Sequence, residues 1–117
     1  MFREQLINRI NEMQMLESNW DFNEADPIDK EAIANAYILV NEIDIEPDAI
    51  VPLPCGTIQI EWKNERNYFE IEICKKTFIL WLVDDASGYS RTATLSWEDG
   101  DKINSILHVF FGDESNG

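Results

Sequence analysis

A single histidine, His108, and two cysteines, Cys55 and Cys74, are all that this chain of 117 residues offers to the commonest metal and nucleophile chemistries. One histidine leaves a histidine-based triad or a zinc site almost no material. Its place in a helical pattern near the end of the chain suits a helix-surface or core-edge side chain. The cysteines form no spaced ligand set, and without a secretion signal they read as reduced thiols. Glycine is scarce too, at five, and no glycine-rich phosphate loop is present. Asp84-Asp85-Ala86-Ser87-Gly88 collects oxygen atoms but lacks the length and the terminal glutamate of an EF-hand loop, so it reads as a turn. No apolar run approaches a membrane span, and the opening MFREQLINRINEM is too polar for a signal peptide. A soluble, cytoplasmic protein with no cofactor and no membrane association is expected.

Positive charge is the most telling shortage. Nine lysines and arginines stand against 23 aspartates and glutamates, for a net charge of −14. Between Glu17 and Asp48 one lysine, Lys30, meets ten carboxylates: Glu17, Asp21, Glu24, Asp26, Asp29, Glu31, Glu42, Asp44, Glu46 and Asp48. A surface this lopsided repels nucleic acid and seeks cations or a basic protein. The charges interleave with periodic apolar residues, and 44% of the chain is hydrophobic, so they belong on the outside of one folded domain spanning 1–117 rather than in a disordered tail.

The periodicity lays out that domain. Phe2, Leu6, Ile10 and Met13 share one stripe of a first helix running to about Leu16. Ser18 to Asp26 is a polar connection holding Trp20 and Phe22, a pair that serves either as a staple onto the next helix or as an aromatic anchor for a partner. Pro27 and Asp29 signal a helix start, with Asp29 as N-cap. Ile33, Ala36, Tyr37, Val40 and Ile43 form the buried stripe, and Glu46-Pro47-Asp48 ends it. Pro52 and Pro54 make Ile50 to Leu53 an edge or extended segment. Ile58, Ile60 and Trp62 then alternate with polar neighbours, as do Phe69, Ile71 and Ile73. That pattern predicts a hairpin in which Trp62 faces Phe69 and Ile60 faces Ile71. Thr77 to Val83 is apolar on both faces and reads as a central or covered strand. Tyr89 to Leu95 supplies a further strand, and Ser96 with Asp99 resembles a capping box for a last helix, whose Ile103, Ile106, Leu107 and Phe110 repeat helically before Gly112 stops it. The expected fold is α+β: two N-terminal helices, an antiparallel meander of four or five strands and a C-terminal helix.

Three stretches carry a family resemblance: Asn19-Trp20-Asp21 with Ala25-Asp26-Pro27-Ile28; Pro47 through Pro54 into Gly56, Ile58, Ile60, Glu61 and Trp62; and Phe69-Glu70-Ile71-Glu72-Ile73. From Trp20 to Ile73 the chain resembles a family of small bacterial and phage proteins of unassigned function. The resemblance implies an α+β domain associated with mobile elements or host–phage conflict, and it carries over no catalytic residues. Phe22-Asn23-Glu24 departs from the aromatic and glycine usual after the first motif.

The hairpin's polar face is the most unusual constellation. Its register sets Glu61 opposite Glu70 and Gln59 opposite Glu72, and like charges so placed destabilise a sheet. Lys63, diagonal to Glu70, and Arg91, reaching Trp81 across a short turn, are the expected compensation. Such a face is either solvated and laced with salt bridges or a site for a basic partner or a divalent metal. Pro47-Asp48 and Glu61-Trp62-Lys63 also imitate the PD…ExK signature of metal-dependent nucleases. The order of elements and the acidic surface argue against that reading. The expected function is therefore non-enzymatic: a module binding a basic, nucleic-acid-binding protein, either as a phage-type inhibitor of host defence or as an antitoxin-like neutraliser. Its expected contact residues are the ten carboxylates with Trp20, Glu61, Glu70 and Glu72. No direct nucleic-acid contact and no metal site are assigned, and helix stripes or the edge near Ile50 could serve self-association. A negative surface serving solubility alone is the plain alternative.

Overall fold

The structure is a computed structural model, and it describes residues 2–84, 88–96 and 99–115. Three helices, α1 (Phe2–Gln14), α2 (Lys30–Glu42) and α3 (Gly100–Ser115), accompany five strands: β1 (Ala49–Pro52), β2 (Ile58–Lys63), β3 (Asn67–Ile73), β4 (Thr77–Asp84) and β5 (Tyr89–Ser96). The strands form one antiparallel sheet whose spatial order is the chain order, β1 to β5. This is the α+β meander that the sequence predicts, with five strands.

Alternation explains how the sheet is covered. Ile58, Ile60 and Trp62 of β2, Phe69, Ile71 and Ile73 of β3, and Phe78, Leu80 and Leu82 of β4 are buried on one face. They join Leu6, Ile10 and Met13 of α1, Ala32, Ile33, Ala36, Leu39 and Val40 of α2, and Ile103, Leu107 and Phe111 of α3 in one core. Trp62 tilts against Phe69 with ring centroids 5.6 Å apart, and its indole N–H donates to the Ile45 carbonyl at 3.0 Å, so the one polar atom of a fully buried ring is satisfied. The hairpin register is the predicted one, with Trp62 across from Phe69, Glu61 from Glu70 and Gln59 from Glu72.

Caps and loops fix the ends. Asp29 closes the start of α2, accepting from the Glu31 and Ala32 N–H groups. The preceding loop is strapped to the sheet: the Asp26 N–H donates to the Pro54 carbonyl and the Asp29 N–H to the Gly56 carbonyl. Gly56 has φ +91°, and a Cβ there would stand 3.1 Å from the Pro27 carbonyl oxygen, so both its backbone and its neighbour require glycine. At the start of α3 the predicted box is half formed, with the Ser96 N–H donating to the Asp99 carboxylate at 3.2 Å. The Asp85-Ala86-Ser87 part of the predicted turn lies outside the described residues.

Three expectations need correction. α2 ends at Glu42, earlier than Glu46-Pro47-Asp48, because Ile43 turns to extended backbone and Ile43 and Ile45 enter the core. α3 runs on through Gly112 to Ser115 instead of stopping at that glycine, which stays in helical backbone. β4 fulfils the first of its two readings, as a strand interior to the sheet, and its other face is open, with Ile79 and Trp81 37% and 39% exposed opposite the helices. Arg91 does not reach Trp81, since it pairs with Leu82 and Trp81 pairs with Thr92. That is a one-residue difference in register, and in a strand it moves a side chain to the other face.

Candidate functional site

The acidic run from Glu17 to Asp48 is contiguous in sequence but divided in space. α2 separates Asp29 and Glu31 at one end from Glu42 and Asp44 at the other by its 13 residues, about 20 Å of helix. At the first pole, several of the acidic residues hold the chain in place. Asp21 accepts from the N–H groups of Asn23 and Ala25, Asp26 lends its carbonyl to the Trp20 indole, and Asp29 caps α2 while pairing with Lys75 at 3.3 Å. Burial would raise the Asp29 pKa, but hydrogen bonds from Glu31, Lys75 and Ala32 outweigh it and hold the carboxyl below its ordinary value. Glu17, Glu24 and Glu31 stay exposed. Trp20 packs against the core as a staple would, whereas Phe22 is 92% exposed. Asn19, Phe22 and Glu24 all take left-handed backbone, at φ 65°, 59° and 66°.

At the other pole, Asn104 of α3 spans the helix end, donating to the Glu42 carbonyl and accepting from the Asp44 N–H. His108, exposed on α3 as its sequence position implied, stands 3.3 Å from the Asp44 carboxylate. Glu46 is exposed. Asp48 accepts the Lys63 N–H at 2.8 Å and donates its own N–H to the Glu61 carbonyl. The PD…ExK-like residues therefore do meet on one hairpin. There the Asp48 carboxylate is engaged by backbone and the Glu61 carboxylate by Tyr68, and among the described residues no three aspartate, glutamate, histidine or cysteine side chains are grouped to hold a metal ion.

The third group of carboxylates is the distinctive one. Glu61, Glu70 and Glu72 stand on the open face of the sheet, with Glu61 directly across from Glu70. The Glu61 carboxylate accepts from the Tyr68 hydroxyl at 2.9 Å, and the Glu72 carboxylate from the Thr57 hydroxyl at 2.8 Å. Among the described residues no lysine or arginine forms an ion pair with any of the three. Burial raises the Glu70 pKa, and the charges of Glu61 and Glu72 raise it further. Burial also raises the Tyr68 pKa, together with its hydrogen bond to Glu61 and the charges of Glu70 and Glu61.

Beside this row lies an apolar patch that the sequence reading missed. Tyr68 meets Trp81 edge-on with centroids 5.3 Å apart, and Ile79 is exposed two residues away on β4. The signal was present: Tyr68, Glu70 and Glu72 alternate on β3, and Ile79 and Trp81 alternate on β4. It was masked because Thr77 to Val83 is apolar on both faces, which leaves no alternation to mark the open side. Comparison with protein-family models, with curated proteins and with solved structures finds no match to this chain.

Proposed function

We propose that this protein is a non-enzymatic acidic module that binds a basic partner protein through the open face of its sheet. The observation that carries the reading is the facing pair Glu61 and Glu70, extended by Glu72 and left without an ion pair among the described residues, beside exposed Trp81 and Ile79. A chain selected only for stability would pair a cation with that row, because like charges directly opposite one another weaken a sheet. Yet Lys63, diagonal to Glu70 on the same face, forms no ion pair with it among the described residues. Carboxylates retained at such a position, next to aromatic and aliphatic surface, suit the arginine and lysine side chains of a partner: charge steers the approach, and Trp81 and Tyr68 offer cation–π faces at contact. The acid poles at the two ends of α2 enlarge the negative field around this site.

The partner class that fits best is a nucleic-acid-binding protein, whose basic channel an acidic surface would occupy. A phage-type inhibitor of a defence protein and an antitoxin are the two biological settings for such a module, and the resemblance to small phage and bacterial proteins favours the first.

The test is affinity capture from host lysate at low salt with stepwise salt elution, followed by binding measurements with the captured protein. Binding should weaken steeply with salt and fall in a Glu61→Gln/Glu70→Gln/Glu72→Gln chain more than in a Glu42→Gln/Asp44→Asn/Glu46→Gln chain. Affinity indifferent to salt, or equal in the two variants, refutes the assignment of the face. A magnesium-requiring nuclease activity lost in Glu61→Ala and Lys63→Ala, with the fold kept, would replace it with the enzymatic reading.

A further inference from the structure

The two edges of the sheet are unlike. β1 has four residues, ends at Pro52, and is entered from Asp48. Shortness, proline and charge are the devices by which natural sheets blunt an edge. β5 has eight residues, no proline, and Arg91 as its one charged side chain. Between Asp85 and Glu98 the chain has no carboxylate at all. In a molecule of net charge −14 this strand is one where a like-charged body meets little repulsion at contact.

The helix layer is unfinished on that same side. α3 buries Ile103, Leu107 and Phe111, but between its outer flank and the sheet runs a groove of about 560 Å³ lined mainly by apolar side chains, among them Leu82, Ala93, Leu95, Ile106 and Phe110, together with the cations Arg91 and Lys102. Ala93, Leu95, Ile106 and Phe110 are only half-buried.

We infer that a second copy of this chain occupies this side, its β5 pairing antiparallel with the first across a twofold axis. The two sheets then continue into one, with all helices on one face. The strand is self-complementary in the way such pairing demands. Centred on Thr92 or on Ala93, it sets hydroxyl side chains opposite one another on the open face and Arg91 opposite Ala93 or Leu95 on the other, so no like charges face. The two grooves open toward each other above the joined edges. Closing them buries Leu95, Ile106 and Phe110, the apolar area that brings edge pairing toward the roughly 800 Å² per partner of a stable interface. A basic partner has the opposite preference, since the glutamate row lies on β2 and β3, away from this edge. The dimer would therefore carry two glutamate faces on one broad surface.

Salt separates the two interactions. In sedimentation velocity the chain should shift from monomer to twice its 13.6 kDa mass as concentration rises. Because two negatively charged bodies are being joined, the dimer should tighten by about tenfold or more between ~50 mM and ~0.5 M salt, whereas binding of a basic partner weakens. Thr92→Glu/Thr94→Glu, at two exposed open-face positions, should weaken the dimer by about 100-fold with the melting temperature little changed, since exposed substitutions usually cost little. In the unmutated chain, hydrogen exchange of β5 amides should slow with protein concentration while that of β1 does not. A chain still monomeric at about 1 mM in high salt, or a dimer whose β5 amides exchange as in the monomer, overturns the inference and leaves the edge to another protein's strand.

Discussion

Replacing Glu70 by glutamine should make this protein more stable at neutral pH. The side chain keeps its shape and loses its charge, which faces Glu61 directly across the strand pair and Glu72 two residues along the same strand. Those neighbours lie about 5 and 7 Å away by sheet geometry. The site is partly open to solvent, so each repulsion is worth only a few tenths of a kcal/mol, and together they cost about 0.5–1 kcal/mol. In a chain of this size that corresponds to a rise of about 2–5 °C in melting temperature. The pH dependence has a definite sign. Because the folded-state pKa is raised above the ordinary value of 4.5, the native protein holds this proton where the unfolded chain has released it. Stability therefore falls as pH rises from 4.5 through the folded value, and the full penalty is present at pH 7. Thermal and urea unfolding of both proteins at pH 7 and about pH 3.5 should show the gain at the higher pH alone, shrinking in high salt. An unchanged or lowered stability at pH 7 would show that the row is compensated. A gain of equal size at pH 3.5 would show that charge is not its cause.

Removing the cap with Asp29→Ala should cost about 1 kcal/mol in urea unfolding at pH 7. Since the Asp29 pKa is depressed below 3.8, this contribution is present above that value and is lost as pH falls through the lower folded one, so the two proteins should converge in strong acid. Phe22→Gly should stabilise by about 0.5–1 kcal/mol, because a residue 92% exposed gives up no packing and its left-handed backbone no longer strains against a Cβ. A loss measured by calorimetry would mean that the ring packs in solution. Trp62→Phe should cost about 2–3 kcal/mol in denaturant titration, by stranding the Ile45 carbonyl and leaving a void beside Phe69.

Where the sequence read true, one physical rule decided the outcome. The β2–β3 register followed from a period of two and a core that tolerates no slip: any other pairing would turn Trp62, Ile60, Phe69 and Ile71 toward water. Asp29 was legible because only a short acceptor side chain satisfies the free N–H groups of a helix start. Where it failed, the missing information was long-range. The position of Arg91 depended on the length of a turn, and one residue of error exchanged its face. The run Phe78-Ile79-Leu80-Trp81-Leu82 has no alternation to say which side is wet, so the exposure of Trp81 needed the finding that the helices gather on the opposite face. The acidic stretch looked like one patch because its spacing in sequence conceals the length of the helix that divides it. The glutamate row survived translation into structure best, since its residues were brought together by the one register the sequence determines.

The order of the strands carries a kinetic consequence. Every strand pairs with its immediate predecessor, so no segment waits for a distant one, and each addition closes only a short loop. Sheets built this way have low contact order for their strand content and fold faster than Greek-key arrangements of similar size. During synthesis the first two helices emerge before any strand. The core face of each new hairpin can then settle on α2 as it leaves the ribosome, while the open side of the growing sheet moves outward one strand at a time until β5 becomes its final edge.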